Sequence, residues 1–316
     1  MIGELAEKII SGNIRAIARG ISIVESGGAP AYELLNKIYR EGNSYIIGFT
    51  GPPGAGKSSL IDVAIGFLKK DFDKIGILAV DPSSPFTGGA ILGDRIRMQN
   101  HAVEPGVFIR SMASRGHLGG IASATKDAIK ILKAGGFDLI IVETLGIGQA
   151  EVEIVELSDT TILIMVPGLG DDIQVMKSGI MEIADVFAIN KSDREGTEKL
   201  ELEIKQILND NISGDGFIPP VVKCSARQNK GIDILIESIL SHKQFLEGSG
   251  IYEKKVRTRI KDDLKTVLQI EIDNFIQNKL DFTKNMDNWI DDIMDESETP
   301  YSIIEEIKKL FDKIGE

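Results

Sequence analysis

Eight residues, Gly51-Pro52-Pro53-Gly54-Ala55-Gly56-Lys57-Ser58, match the pattern G-x-x-x-x-G-K-[ST] between an apolar run, YIIGFT, and a segment of helical periodicity. The chemistry of such a loop is phosphate binding. Gly51, Gly54 and Gly56 let backbone N–H groups turn inward around an anion, the helix that follows adds the partial positive charge of its N-terminus, and Lys57 reaches the terminal phosphates. Pro52, Pro53, Ala55 and the following Ser59 complete the cradle. Ser58 offers its hydroxyl to Mg2+. A hard cation needs further oxygen donors close by, and carboxylates stand where later apolar runs end: Asp81 closes IGILAVD and Glu143 closes DLIIVE. Asp94, in GGAILGDRIRM, is a third candidate.

A second constellation is Asn190-Lys191-Ser192-Asp193, where the apolar run VFAI stops abruptly. A carboxylate at Asp193 accepts from both the ring N1–H and the exocyclic amino group of guanine, a donor pair that adenine lacks. Asn190 can brace the loop, and the aliphatic stem of Lys191 can lie over a base. Ser225 and Ala226 follow the last apolar run, where a small residue lets a backbone N–H approach the guanine carbonyl. Together these predict GTP or GDP as the ligand rather than ATP.

The elements that must position these residues follow from the same apolar runs. Segments 45–50, 75–81, 138–143, 161–166, 186–190 and 220–224 are apolar throughout rather than alternating, with helix-like stretches between them. That pattern predicts strands covered on both faces, hence an α/β fold with a doubly wound, mostly parallel sheet whose ligands sit at the C-terminal strand ends. Residues 1–42 read as an N-terminal helical segment, 43–245 as the nucleotide-binding core and 246–316 as a C-terminal helical arm. In the arm, Val256, Ile260, Leu264, Val267 and Leu268 form one apolar stripe, and Ile303, Ile304, Ile307, Leu310 and Phe311 another. Such stripes pack locally or pair with a second subunit.

Composition narrows the function classes. A net charge of −12 and a sequence pI of about 4.9 disfavour nucleic acid as a partner. Three scattered histidines (His101, His117, His242) and one cysteine, Cys224, leave little for a soft-metal site or a disulfide. With no basic-apolar leader and no run of about 18 apolar residues, a cytoplasmic protein without a membrane partner is expected.

Taken together, GPPGAGKS, AVDPSSPFTGGAILGDRIRM, SRGHLGG, VETLGIGQAE, VPGLGDDIQVMKSGI and NKSD resemble the MeaB/ArgK family of P-loop GTPases. These GTPases are associated with methylmalonyl-CoA mutase and related adenosylcobalamin-dependent acyl-CoA mutases. The likeness runs from residue 1 to about 245; the rest resembles the family only in being helical. It implies Lys57 on the phosphates, Ser58, Asp81, Asp94 and Glu143 around Mg2+, and Asn190, Lys191 and Asp193 on guanine. It further implies a switch at 144–151 and a partner-contacting segment at 167–177 that carries Lys177. Lys57, Glu143, Gln149 and Lys177 are the candidate catalytic groups, Gln149 as an orienter of water. The resemblance also implies a homodimer joined through its C-terminal helices, and a chaperone that loads, protects or reactivates its mutase. No catalytic base is obvious in the sequence, so slow hydrolysis that the partner raises is expected.

Arg95 and Arg97 are candidate charge stabilisers, while Arg110 and Arg115 read first as salt-bridge formers. Trp289 and Cys224 read as packing residues. Competing readings are an ATP-dependent kinase or transport accessory, against which NKSD argues, and a nickel metallochaperone GTPase, which calls for Cys or His clusters. A protein-targeting GTPase would need a methionine-rich or basic appendage, where the sequence has DNWIDDIMDES.

Overall fold

The computed structural model describes residues 2–81, 101, 104–113, 123–144, 150–168, 184–210, 216–279 and 282–314. Its centre is a parallel sheet of strands β1 (Tyr45–Thr50), β2 (Ile75–Asp81), β3 (Val107–Ala113), β4 (Leu139–Glu143), β5 (Thr160–Met165), β6 (Val186–Ile189) and β7 (Val221–Lys223). They lie in the order β3-β2-β4-β1-β5-β6-β7. The doubly wound α/β expectation holds, and every paired strand is parallel. β3 was not expected from sequence. As an edge strand reading VFIRSMA it carries Arg110 and Ser111 where an inner strand would be apolar.

The three central strands β1, β4 and β5 are buried along their whole length, and successive side chains feed different cores on the two faces. On one face Tyr45, Ile47 and Phe49 meet Leu60, Ile61 and Ile65 of α4 (Lys57–Leu68) and Leu235 and Ile239 of a later helix, Ile232–Ser249. On the other, Ile46, Ile140 and Val142 meet α1 (Ile2–Ile10), α2 (Ile14–Ser26), α3 (Ala29–Ile38), α5 (Ser123–Ala134) and α6 (Ala150–Leu157). The helices that leave β1 and β4, which are sheet neighbours, therefore lie on opposite faces. Such a switch point opens a crevice above the strand tips. Gly48 makes the close packing of α6 possible, since a Cβ there would stand 2.6 Å from Ile154 Cγ1.

The N-terminal helices belong to the same compact unit as the sheet, residues 1–255. Ile9, Ile17, Ile21, Leu34 and Ile38 are fully buried. Asn13 caps α2, its side chain accepting from the Ala16 N–H at 3.0 Å. Arg110 of β3 forms an ion pair with Glu25 and donates to Ser22 Oγ at 3.1 Å, which ties the sheet edge to α2.

Residues 256–316 form the second unit, built from helices Ile251–Lys279, Phe282–Met294 and Pro300–Ile314. Ile303 and Ile307 are buried there against Ile276, Trp289 and Ile293. The stripe through Leu264, Val267 and Leu268 is exposed, Leu264 by 66% and Leu268 by 61%.

Candidate nucleotide-binding site

The loop Gly51–Gly56 leaves β1 at its C-terminal tip and opens α4 without a side-chain cap at Gly56. Three glycines there adopt conformations that side chains resist: φ is 142° at Gly51, 77° at Gly54 and 86° at Gly56. Two also lie against other elements. A Cβ on Gly51 would fall 2.2 Å from the Ile164 carbonyl oxygen of β5, and one on Gly56 would fall 2.7 Å from Asn190 Nδ2. Pro52 and Ala55 are buried, while Pro53, Gly54 and Ser59 are exposed.

Lys57 is nearly buried, and its ammonium donates to the carbonyl oxygens of Gly51 at 2.7 Å and Pro52 at 3.1 Å. The charge is thereby held over the concavity of the loop. Beside it, Ser58 Oγ donates to Glu143 Oε1 at 2.6 Å, with both residues buried. This joins the first turn of α4 to the tip of β4. The backbone of Asp81 closes β2, the strand on the far side of β4. Asp94, Gln149 and Lys177 lie outside the described residues.

Across the loop stands the tip of β6. Asn190 is buried and uses both ends of its amide: Nδ2 donates to Ala55 O at 2.8 Å, while Oδ1 accepts from the Lys191 N–H at 2.8 Å and the Ala226 N–H at 3.2 Å. Lys191, with φ of 55°, donates from Nζ to Gly54 O at 2.6 Å, which lays its stem along the phosphate loop. Desolvation lowers the pKa of its ammonium. Asp193 is exposed and accepts from Ser225 Oγ at 2.7 Å, and this hydrogen bond holds its carboxyl below the usual range. An ionised, outward-facing acceptor is what a base with two adjacent N–H donors requires.

The structure therefore brings together Gly51–Ser58, Glu143, Asn190, Lys191, Asp193, Ser225 and Ala226. A feature that sequence reading missed is the buried pair Thr50 and Thr144 at the tips of β1 and β4. Thr144 Oγ1 donates to Thr50 Oγ1 at 3.1 Å, and the Thr144 N–H donates to Phe49 O at 3.1 Å. The signal was a threonine at the end of YIIGFT and another directly after DLIIVE. Cys224 is fully buried, and burial pushes its thiol up to about 12, in keeping with a packing role. No group of three His, Cys, Asp or Glu able to hold a metal ion is found among the described residues. No helix among them is long and apolar enough to cross a membrane.

Comparison with known proteins gives a consistent picture. The family model described as Methylmalonyl Co-A mutase-associated GTPase MeaB matches residues 17–281. A protein of Pyrococcus abyssi named only as a GTPase is 53% identical over 272 residues, 85% of this chain and 84% of that one. The GTPase ArgK of Escherichia coli is 34% identical over 294 residues, 90% and 88% of the two chains. The mitochondrial methylmalonic aciduria type A homolog of Mus musculus is 30% identical over 283 residues, 82% of this chain and 67% of that one. Among solved structures, an LAO/AO transport system kinase superposes with a TM-score of 0.69 at 24% identity, covering 98% of this chain and 97% of that one, a likeness of fold.

Proposed function

The chain belongs to the family of methylmalonyl-CoA mutase-associated GTPases MeaB and is itself a GTPase, and from that premise we propose that it serves an adenosylcobalamin-dependent acyl-CoA mutase as a GTP-driven chaperone. It would assist cofactor loading, protection or reactivation in the cytoplasm, acting as a homodimer. The family description and the name of the mouse relative support the partner class. The exposed Leu264–Leu268 stripe supports a subunit contact.

One observation carries the assignment of the nucleotide site: the single side chain of Asn190 bonds both Ala55 of the phosphate loop and Ala226 beside the base-reading Asp193. One nucleotide can then meet both. In this reading Gly51–Ser59 hold the phosphates, Lys57 offsets the negative charge that grows on them during transfer, and Asp193, Lys191 and Ala226 take the guanine. Ser58 and Glu143 supply hard oxygen donors in contact with each other, a donor set that fits Mg2+, with Asp81 and Asp94 as further candidates. Bound Mg2+ would neutralise phosphate charge. Glu143, Gln149 and Lys177 are the residues proposed to act with Lys57 in hydrolysis.

The test is a titration of the full chain with GTP, GDP and ATP, followed by GTP turnover with and without a candidate mutase. Micromolar guanine-nucleotide binding, weak ATP binding and turnover raised by the mutase are expected. Equal or tighter ATP binding would favour the kinase or transport-accessory reading and overturn this one. Fast turnover by the isolated protein would remove the partner from the proposal.

A further inference from the structure

One charged cluster outside the loop and the base-reading tip faces the helix that carries Lys57 and Ser58. Asp62 lies four residues beyond Ser58, on the same side of α4. Its Oδ1 is 3.6 Å from His101 Nε2, while His101 Nδ1 lies 2.9 Å from Glu104 Oε2, and Lys69 at the end of α4 is 3.4 Å from the same Glu104 oxygen. The imidazole is 17% exposed and thus held between two carboxylates that come from different elements.

The far side of this cluster is fixed to the sheet. His101 and residues 104–106 stand before β3, with the Glu104 N–H donating to His101 O at 3.0 Å and the Val107 N–H to Glu104 O at 3.2 Å. The Ile75 N–H donates to Gly106 O at 2.8 Å, and Gly106, at φ of 84°, approaches so closely that a Cβ would stand 2.4 Å from Asp73 O. His101 is therefore anchored to the β2–β3 frame, and Asp62 to the phosphate helix. The hydrophobic face of α4, with Leu60, Ile61, Ala64, Ile65 and Leu68 fully buried, sets its distance from the sheet. The Asp62–His101 contact on the flank, one turn below Ser58, adds a polar tie between that helix and the β2–β3 frame.

We propose that Asp62, His101 and Glu104 form a clasp that positions Ser58 and Lys57 relative to the β2–β4 strand ends, so that the Mg2+–nucleotide complex, rather than the nucleotide alone, depends on it. The inference rests on the nucleotide-site reading above and names positioning residues, since none of the three touches the loop. The Mg2+ dependence follows from position on the helix: Ser58, the hydroxyl proposed to meet Mg2+, lies one turn before Asp62 and contacts Glu143 at the tip of β4.

The experiment uses the full chain and a fluorescent GDP, titrated at a series of free Mg2+ concentrations and again in EDTA, for the wild type, Asp62→Asn, His101→Gln and the double variant. Each single substitution is expected to raise the Mg2+ concentration for half-maximal binding roughly three- to tenfold. Mg2+-free GDP affinity should change by less than about twofold. The double variant should be no worse than either single, as for two halves of one contact. An unchanged Mg2+ requirement in variants that bind GDP overturns the proposal, and so does an equal loss of Mg2+-free binding. Thermal melting without nucleotide checks folding. Should Asp62→Asn fail to fold, His101→Gln decides alone, because it keeps a polar side chain facing both carboxylates. A wild type that binds no guanine nucleotide at any Mg2+ concentration would instead defeat the nucleotide-site reading itself.

Discussion

At the residue scale, Asn190 is the point on which the site turns. Replacing it by Leu leaves the Ala55 carbonyl and the Ala226 N–H without their partner in a buried setting. An unsatisfied buried polar group costs about 1–3 kcal/mol. Asn190→Leu is therefore expected to lower stability by about 2–4 kcal/mol, measured by urea unfolding, and to weaken GDP binding besides. A change within 0.5 kcal/mol would show that the bridge carries little. Gly56→Ala is expected to abolish nucleotide binding, because it places a methyl against Asn190 in a backbone conformation that alanine resists. The sequence made the residue types of this site legible, since the loop pattern and NKSD each carry a chemical rationale. The double use of the Asn190 amide was legible only as a possible brace, because its partners are main-chain atoms 135 and 36 positions away.

At the scale of elements, a buried polar chain sits at the opposite end of the sheet from the nucleotide site. Tyr45 OH bonds Thr160 Oγ1, Thr160 Oγ1 lies 2.7 Å from His242 Nδ1, and His242 Nε2 is 3.4 Å from Asp185 Oδ1. Lys255 donates to Asp159 O at 2.8 Å nearby. Burial pushes Asp185 up to about 6 and His242 down to about 4. The two shifts act oppositely on stability. Asp185, protonated more readily when folded, contributes stability that is present at low pH and lost as pH rises through about 6. His242, harder to protonate when folded, contributes stability that is present near neutrality and lost as pH falls through about 4. Between these limits they offset each other. Relative to wild type, His242→Gln should gain stability as pH falls from 6.5 to 4.5, and Asp185→Asn should lose it, each by on the order of 2 kcal/mol. Urea midpoints at intermediate pH measure this, and parallel pH profiles for the three proteins would contradict it.

The strands bearing this network were readable as apolar runs, and their parallel pairing followed from burial on both faces. The network itself was not, because Tyr45, Thr160, Asp185 and His242 come from four separate segments that only the sheet order assembles. The edge strand β3 escaped for a related reason: with an open side it needs no continuous apolar run, and Arg110 finds its partner Glu25 on α2 rather than in the strand.

For the whole molecule, the division between the two compact units falls, along the chain, between Lys255 and Val256, inside the helix Ile251–Lys279. The second apolar stripe of the arm was partly legible, since Ile303 and Ile307 do pack locally against Ile276, Trp289 and Ile293. The first stripe is left open at Leu264 and Leu268. A homodimer through that stripe predicts that Leu264→Glu with Leu268→Glu yields a monomer by sedimentation while GDP binding persists at wild-type strength. A variant that remains dimeric would remove the stripe from the interface.

In the proposed site one guanine nucleotide spans the phosphate loop and the acceptor at Asp193. This is tested most directly by measuring the affinities of GDP and xanthosine diphosphate for wild type and Asp193→Asn. Xanthine carries a carbonyl where guanine has its amino group, so an amide that donates there should replace a carboxylate that accepts. The substitution is expected to weaken GDP by about a hundredfold or more and to make xanthosine diphosphate the tighter ligand. Unchanged GDP binding by Asp193→Asn would contradict the proposed site.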